Sequence, residues 1–275
     1  MKRNPNLGSS VARAKKRRLF WVRFYIILFF VLAITFTLAI FSGHSKVIIK
    51  QINVSGQASI STEQILDVVN KNLAGRYFYL FARNNYLIFP RFTIQQDLLN
   101  EFKIFKAVDV SWSNWGTIDI KVSERKPHSV WCGADPADMK ADCYFIDRTG
   151  YIFNRAPTFS GDIFVRNYRA LDTSSPIGQY FLASNLYLTL YRLIDVLAKN
   201  NLTVQRVSFD NFDYKFYLAT GPTIIFNQKS NLDATFANLI TAINSGDLDL
   251  VNNAEKINYI DLRFGDKIVV GKKGE

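Results

Sequence analysis

One run of apolar residues limits the architectures open to this chain. Residues 24–41 (FYIILFFVLAITFTLAIF) contain no charged side chain. As a helix this run is about 27 Å long, enough to cross the hydrocarbon core of a membrane. A tail without Asp or Glu precedes it and carries eight basic residues: Lys2, Arg3, Arg13, Lys15, Lys16, Arg17, Arg18 and Arg23. The positive-inside rule then predicts a cytoplasmic tail over 1–23, a transmembrane helix over 24–43 and an external remainder.

A cleavable signal peptide is the alternative interpretation of this N-terminus. Gly43, His44 and Ser45 place small residues where a signal peptidase would need them. However, the basic region is long, and the apolar run exceeds the roughly 7–15 residues of a signal peptide core. We therefore expect a retained single-pass anchor of type II, with the N-terminus in the cytoplasm and the bulk of the chain outside the cell membrane.

The net charge of +11 does not indicate nucleic acid binding. Eight of the 34 Lys and Arg residues lie in the tail, so the remaining 26 exceed the 23 Asp and Glu residues by 3. A nearly balanced external part offers no large basic face for a phosphate backbone. The basic cluster before the span favours lipid headgroups as its partner.

Two cysteines, Cys132 and Cys143, lie in the segment WCGADPADMKADCYF. An external location is usually oxidising, which favours a disulfide between them, and two reduced thiols on neighbouring strands are the alternative. A zinc site is not expected, because the only histidines are His44 and His128 and the spacing does not supply four ligands.

After the span, local signals predict a strand followed by a helix. The β-rich segment VIIKQINVSG ends at Gly56. Ser61 and Gln64 have the spacing of a capping box, with Ile60 and Ile65 placed for a hydrophobic staple. The helix that follows has an apolar stripe at helical spacing.

A second helix and a hairpin complete this first unit. The helix is expected to open at Thr93, with Gln96 three residues later. Its predicted buried face comprises Ile94, Leu98, Leu99 and Phe102. The alternating segments AVDVSW and TIDIKVSE then flank Asn114-Trp115-Gly116, which predicts a β-hairpin. The pattern is a β-α-α-β-β unit in which two helices cover a three-stranded sheet.

The rest of the chain is longer and richer in strands. CYFIDRTGYIF predicts two short strands around a turn at Arg148-Thr149-Gly150, and Asp147 suits the start of that turn. Apolar stripes predict helices over 186–197 and 232–243, the second capped by Asn231. NYIDLRFGDKIVV predicts a closing pair of strands around Gly265-Asp266. The fold class is therefore α+β, with an N-terminal membrane helix and a mostly antiparallel β-rich region.

An enzyme is the least favoured class. Ser123 and Lys126 match the serine-x-x-lysine pattern of penicillin-binding proteins. That chemistry needs both residues on one face of a helix, whereas here they end an alternating strand. We predict no catalytic residue, no cofactor and no metal.

The order of these elements resembles that of the FtsQ/DivIB family of bacterial cell division proteins. Four motifs carry the resemblance: INVSG before a capped helix, VSERKP leading to Trp131, FIDRTGYIF, and the terminal YIDLRF. The Cys132–Cys143 loop and the aromatic YFYLFARNNYLIFP stretch are larger than the family pattern. The resemblance implies a POTRA domain over 46–127, a β-domain over 128–271 and a short tail over 272–275.

The resemblance also implies a function. Members are non-catalytic scaffolds at the division septum that bind small single-pass coiled-coil proteins of the FtsB and FtsL type, and through them influence the septal peptidoglycan synthase. Their partner adds to the edge of the β-domain through the last strand. Mapped onto this sequence, the implied partner-binding residues are Tyr259, Asp261, Arg263, Lys267, Ile268, Val269 and Val270.

Alternation within the last strands gives an independent expectation. Ile260, Leu262 and Phe264 should face the core. Tyr259, Asp261 and Arg263 should then face outward. An ordinary closing strand with a weak Asp–Arg surface pair is the simpler interpretation.

Two other binding classes stay open. A POTRA-bearing secretion or assembly module would bind polypeptide chains, although such proteins usually carry several POTRA units or a β-barrel. An anchored adhesion domain would not be expected to end in YIDLRF.

Overall fold

A computed structural model describes residues 7–137, 141–158, 161–171, 175–210, 212–248, 250 and 254–274. The chain divides into two compact units, one ending at Glu124 and the other beginning at Arg125. The coarse fold prediction is confirmed, because helices and strands are mixed behind an apolar N-terminal helix and the larger sheet is mostly antiparallel.

The first helix, α1 (Leu7–Ser42), contains the apolar run. Within the described residues it is the one helix whose length and composition would let it cross a membrane, over Lys15–Ser42. Its large apolar side chains are almost all exposed, as expected of a surface that lipid would cover. The structure therefore confirms a helix that is long and apolar enough to cross a membrane, whereas membrane anchorage and orientation stay predictions.

A three-stranded sheet and two helices form the rest of the first unit. In chain order the elements are β1 (Gln51–Ser55), α2 (Thr62–Leu73), β2 (Arg76–Tyr77), β3 (Phe81–Ala82), α3 (Arg91–Glu101), β4 (Phe105–Trp112) and β5 (Thr117–Glu124). Strand β5 lies in the middle of the sheet, parallel to β1 and antiparallel to β4. Strands β2 and β3 form a separate small hairpin, which the sequence reasoning did not anticipate.

The start of α2 is capped as predicted. The Ser61 hydroxyl accepts a hydrogen bond from the Gln64 amide, and the Gln64 side chain in turn bonds the Ser61 backbone N–H. Upstream, Gly56 directly follows β1 with φ +89°, and a Cβ at this position would stand 2.1 Å from the Val122 carbonyl oxygen. Only glycine fits such a close approach.

The predicted start of α3 at Thr93 is wrong. The helix begins at Arg91, and Pro90 takes the capping position without a side-chain hydrogen bond. Proline suits a helix start because its missing N–H would have had no partner there. Of the predicted buried face, Ile94 and Leu98 are fully buried, whereas Leu99 and Phe102 are half-buried.

The second unit is built on a nine-stranded sheet. Its strands are β6 (Ser129–Trp131), β7 (Tyr144–Ile146), β8 (Ile152–Arg155), β9 (Arg166–Tyr168), β10 (Val204–Asp210), β11 (Asp213–Leu218), β12 (Thr223–Asn227), β13 (Ile257–Phe264) and β14 (Lys267–Lys272). Their order across the sheet is β14-β13-β12-β11-β10-β9-β6-β7-β8. Parallel pairs join β9 to β10, β6 to β9 and β12 to β13, and the other neighbours are antiparallel.

Two helices, α4 (Ser184–Lys199) and α5 (Leu232–Asn244), pack on this sheet, and a short 3-10 turn, Ala254–Lys256, precedes β13. A single hydrophobic cluster joins Leu190 and Leu197 of α4 to Phe236 of α5 and to strand residues such as Phe216 and Ile260. The predicted Asn231 cap is also present, with its side chain accepting from the Ala234 amide at 3.2 Å. The core thus holds in place strands β13 and β14, which carry the predicted partner-binding residues.

Candidate partner-binding site

The two closing strands occupy different places in the sheet. Strand β13 lies between β12 and β14, whereas β14 forms the end of the nine-stranded order. Within the part of the chain that the structure describes, no strand pairs with the other side of β14. The predicted partner-binding residues therefore separate into an inner set on β13 and an edge set, Lys267 to Val270, on β14.

Side chains on β14 alternate between the core and the solvent. Ile268 and Val270 are half-buried against the main cluster. Lys267 and Val269 are exposed, Val269 by 40%. Along the free side of such a strand, every second residue directs its backbone N–H and C=O away from the sheet. This edge can accept another extended chain by backbone pairing.

The predicted alternation fails at the end of β13. Phe264 was expected in the core and is 57% exposed. The pairing with β14 shifts between Asp261 and Phe264, which marks an irregularity in the ladder. An extra residue in one strand reverses the side-chain alternation beyond it, so Phe264 faces solvent beside the turn at Gly265.

The predicted Asp261–Arg263 surface pair is partly a buried cluster. Asp261 is only 4% exposed and receives hydrogen bonds from the Arg263 guanidinium at 2.6, 2.9 and 3.1 Å. The same guanidinium bonds Asp213 of β11 at 2.6 Å and so crosses over the intervening β12. Burial by itself would raise the pKa of Asp261, but the hydrogen bonds from Arg263 outweigh it, and the pKa is lowered. Arg263 is thus engaged within the chain rather than free for a partner.

Asp213 is a member of this cluster that the sequence reasoning missed. It lies 50 residues before Arg263 and also accepts a hydrogen bond from the Asn227 side chain at 2.9 Å. No local pattern could connect Asp213 to Arg263, because the contact depends on the order of strands in the sheet.

Tyr259 covers a glycine on the edge strand. It pairs with Gly271 across the β13–β14 ladder, and a Cβ added to Gly271 would stand 2.3 Å from the Tyr259 ring. An aromatic ring laid over a glycine near a sheet edge replaces the missing side chain and pins the register. Tyr259 is therefore a structural part of the edge, and Gly271 is a second residue that the sequence reasoning missed.

The FIDRTGYIF turn contains a buried ion pair at the opposite end of the sheet. The Asp147 carboxylate accepts from the Thr149 amide and hydroxyl at 2.7 and 2.6 Å, and it pairs with Arg125. Burial opposes the charged form, but these hydrogen bonds outweigh it and lower the pKa of Asp147. Gly150 ends the turn at φ +85°, the left-handed conformation that glycine accepts. This chemistry stabilises a turn, which is the role expected from the sequence.

A buried polar network links β6, β9 and α4. The Tyr187 hydroxyl bonds Ser129 at 2.8 Å and His128 at 3.0 Å, and the Asn167 side chain bonds both Ser129 and Tyr191. Burial raises the pKa of Tyr187 and raises that of Tyr191 to about 12. Ser129, Asn167 and Tyr187 are fully buried, so no substrate can reach them. The network therefore stabilises the packing of β6, β9 and α4.

The remaining sequence-predicted features are placed as follows. Cys132 and Cys143 form a disulfide with an S–S distance of 2.00 Å, joining the residue after β6 to the residue before β7. Ser123 of the serine-x-x-lysine pattern lies on strand β5, and not on a helix. Among the described residues, no group of three or more His, Cys, Asp or Glu side chains could hold a metal ion.

Comparisons of the chain with protein-family models and with curated proteins find no match. The resemblance to FtsQ/DivIB proteins therefore stays an expectation that depends on the four motifs. In the fold, INVSG ends β1, VSERKP follows from β5, FIDRTGYIF spans β7 and β8, and YIDLRF is the latter part of β13. Three of these motifs thus lie at the ends or turns of strands, and the fourth lies next to the free edge.

Proposed function

We propose that this chain is a bitopic scaffold of the bacterial divisome, of the FtsQ/DivIB kind, which acts by binding and not by catalysis. The apolar helix α1 would anchor it in the cell membrane at the septum, with the N-terminus in the cytoplasm. The observation that carries the proposal is the position of β14, a free sheet edge directly after the YIDLRF strand. Its partners would be small single-pass coiled-coil proteins of the FtsB and FtsL type.

The topology of the first unit supports a POTRA domain over 46–127. Two helices separate the first strand from a hairpin, and the sheet order is β1-β5-β4 with one parallel pair. The resemblance implies a β-α-α-β-β arrangement, and this topology is compatible with it apart from the small β2–β3 hairpin between the helices. The second unit is consistent with a β-domain over 128–271, because its last strand, β14, forms one edge of the sheet.

The mechanism would be capture of an extended segment by addition to β14. Backbone hydrogen bonds along the free edge would supply affinity, since each unpaired N–H and C=O gains a partner. The exposed side chains of Lys267 and Val269 would supply specificity on the outer face. Tyr259 and the Asp261–Arg263 pair would act indirectly, by holding the two closing strands in register.

In-cell photo-crosslinking tests this function. A photoreactive residue in place of Val269 in the full chain samples the free edge, and the same residue in place of Phe212 is the matched control. Phe212 is also an exposed apolar residue of the second unit, but it lies in the turn between β10 and β11. Capture of one small single-pass coiled-coil protein from Val269, and not from Phe212, is the expected result.

Two other outcomes would overturn the proposal. A broad set of unfolded secretory chains captured at Val269 would favour the POTRA-bearing secretion or assembly module instead. Equal capture from Val269 and Phe212 would show that the edge has no special role.

A further inference from the structure

The small hairpin between α2 and α3 exposes an aromatic tip. Phe78 is 88% exposed and Tyr79 is 95% exposed, and Leu80 follows them in the same turn. Both aromatic residues have left-handed backbone, with φ of +49° and +63°. Glycine or asparagine would adopt that conformation more readily than a bulky residue. The side chains at the tip therefore contribute little to the fold and are presented outward.

Hydrogen bonds join this hairpin and the residues after it to the end of the apolar helix. The Ala82 amide donates to the Ser42 hydroxyl at 3.1 Å, and the Asn85 side chain donates to the Ser42 carbonyl at 2.7 Å. Ala39, one turn earlier and within the apolar run, is buried on the same face of α1 as Ser42. The hairpin thus lies beside the last turn of the segment that would cross the membrane.

Further aromatic residues lie at this end of the first unit. The Trp115 indole donates to the Lys46 carbonyl at 2.6 Å, and the Trp112 indole donates to the Tyr86 carbonyl at 2.9 Å. The chain just after the helix pairs with the chain just after the hairpin, through the Tyr86 amide and the Val47 carbonyl at 2.7 Å. The exposed apolar residues around them are Leu87, Ile88, Phe92, Trp112 and Trp115. Tryptophan and tyrosine concentrate where a membrane protein meets the headgroups.

Arginines flank the aromatic tip. Arg76 donates to the Leu80 carbonyl at 3.4 Å, and the Arg83 guanidinium lies 5.2 Å from the centre of the Tyr77 ring. At the start of α3, away from the tip, the Arg91 guanidinium lies 5.4 Å from the Trp112 ring and pairs with Asp109 at 3.4 Å. Guanidinium groups beside an apolar tip match lipid phosphates beside acyl chains.

We propose that the hairpin tip, Phe78 to Leu80, inserts into the lipid interface beside the point where α1 leaves the membrane. This inference rests on the proposed membrane anchorage of α1. The occupant of the exposed aromatic surface is lipid, because that surface is continuous with the apolar helix and is flanked by arginines. Insertion would give the first unit a second attachment and so restrict its rotation about the end of the helix.

A fluorescent label at the tip tests the insertion. The full chain with Tyr79→Cys, labelled with an environment-sensitive nitrobenzoxadiazole dye, is reconstituted into vesicles of phosphatidylcholine and phosphatidylglycerol in equal parts. The native cysteines are joined in a disulfide, so the new thiol is the one that reacts. The matched control is Ser123→Cys, an exposed position of the same unit, roughly 20 Å along β5 from the Trp115 turn.

Insertion predicts opposite behaviour of the two labels. The Tyr79→Cys label shifts its emission to the blue, is quenched by lipid carrying a doxyl group on the acyl chain, and is protected from iodide. The Ser123→Cys label is quenched by iodide and not by the doxyl lipid.

The other outcomes separate the two proposals. If the chain does not float with the vesicles, the anchorage fails, and the insertion fails with it. If the chain floats but the Tyr79→Cys label is quenched by iodide, the anchorage stands and the insertion is wrong. Protection from iodide without quenching by the doxyl lipid would mean that protein covers the tip, which also overturns the proposal.

A second variant keeps the test independent of folding. Phe78 and Tyr79 are the two central residues of a turn closed by the Leu80 amide and the Tyr77 carbonyl at 2.9 Å. Both have positive φ, so Phe78→Asn with Tyr79→Gly gives the residue pair that such a turn prefers, and the hairpin is retained or strengthened. In this background a label at Leu80→Cys should lose its quenching by the doxyl lipid relative to Leu80→Cys alone. Undiminished quenching would show that the aromatic residues do not drive insertion.

Discussion

At the scale of single residues, charge placement decides what the closing strands can do. Asp261 and Arg263 look like free surface charges when only the strand alternation is considered. In the fold, the Arg263 guanidinium bonds both Asp261 and Asp213, and Asp261 is buried beneath it. Substitutions of Arg263 are therefore expected to act on the fold before they act on a partner.

Replacing Arg263 with alanine should lower the free energy of unfolding by about 1–3 kcal/mol, because Asp261 is left buried without its charged partner. The loss should fall in the lower part of that range, because Arg263 is partly exposed and solvent screens its charge. Urea unfolding of the chain in detergent measures the difference. Arg192→Ala is the control, since Arg192 lies 3.9 Å from Asp233 with both side chains exposed, and its loss should be below about 0.5 kcal/mol. Equal effects would contradict a role for Arg263 in the buried cluster.

His128 should make stability depend on pH. Burial, followed by the nearby charge of Arg148, lowers its pKa below 6.5 in the folded chain. The unfolded chain then binds the proton more readily than the folded chain. The contribution of His128 to the free energy of unfolding is therefore present above about pH 6.5 and is lost as the pH falls through the folded pKa. His128→Asn should flatten this part of the stability profile, measured by unfolding at several pH values between about 5 and 7. An unchanged slope would show that His128 is not responsible.

At the scale of elements, the position of β14 matters more than its composition. The strand has one paired side, toward β13, and one side without a partner strand in the described chain. Neighbouring residues of an antiparallel strand direct their N–H groups to opposite sides. Of Ile268 and Val269, one therefore serves the fold and the other faces the free edge.

Proline at each of these two positions separates folding from binding. At the position whose N–H faces β13, proline removes a ladder hydrogen bond and should lower both stability and partner capture, the stability by about 1 kcal/mol or more. At the position that faces the edge, proline should weaken capture and leave the unfolding midpoint nearly unchanged. Unfolding curves and crosslinking yields are compared for both variants. Unchanged capture in the edge-facing variant would show that the edge side of β14 does not bind. A loss of stability in that variant as large as in the other would show that the edge model is wrong.

At the scale of the whole molecule, each compact unit has its own source of stability. In the first unit, hydrogen bonds to Ser42 join the apolar helix to the rest of the unit, and the second unit contains the nine-stranded sheet and the disulfide. The disulfide joins residues 11 apart in the sequence, so it reduces the conformational entropy of the unfolded chain by closing a short loop.

Replacing both cysteines with serine should lower the free energy of unfolding of the second unit by about 3 kcal/mol, because the unfolded chain regains loop entropy. Unfolding should be followed by a probe in each unit, such as Trp131 in the second and Trp112 in the first, with the other tryptophans replaced. A loss confined to the Trp131 signal is expected. An unaltered Trp131 transition would show that the disulfide does not stabilise the sheet.

Much of this protein follows from local sequence. The apolar run, the capping box at Ser61, the turn at Asp147 and the Asn231 cap each depend on residues within a few positions of one another. Their energetics are local, so the pattern alone predicts them. The alternation of β13 is predictable in the same way as far as Leu262.

Only the tertiary structure decided the rest. The exposure of Phe264 depends on a ladder irregularity, and the pairing of Arg263 with Asp213 depends on strand order. The edge position of β14 and the attachment of the aromatic hairpin to Ser42 likewise join residues far apart in the chain. Local pattern determines which elements form, because hydrogen bonding and capping act over a few residues. The pairing of strands and the covering of faces depend on burial across the whole fold, which no short segment encodes.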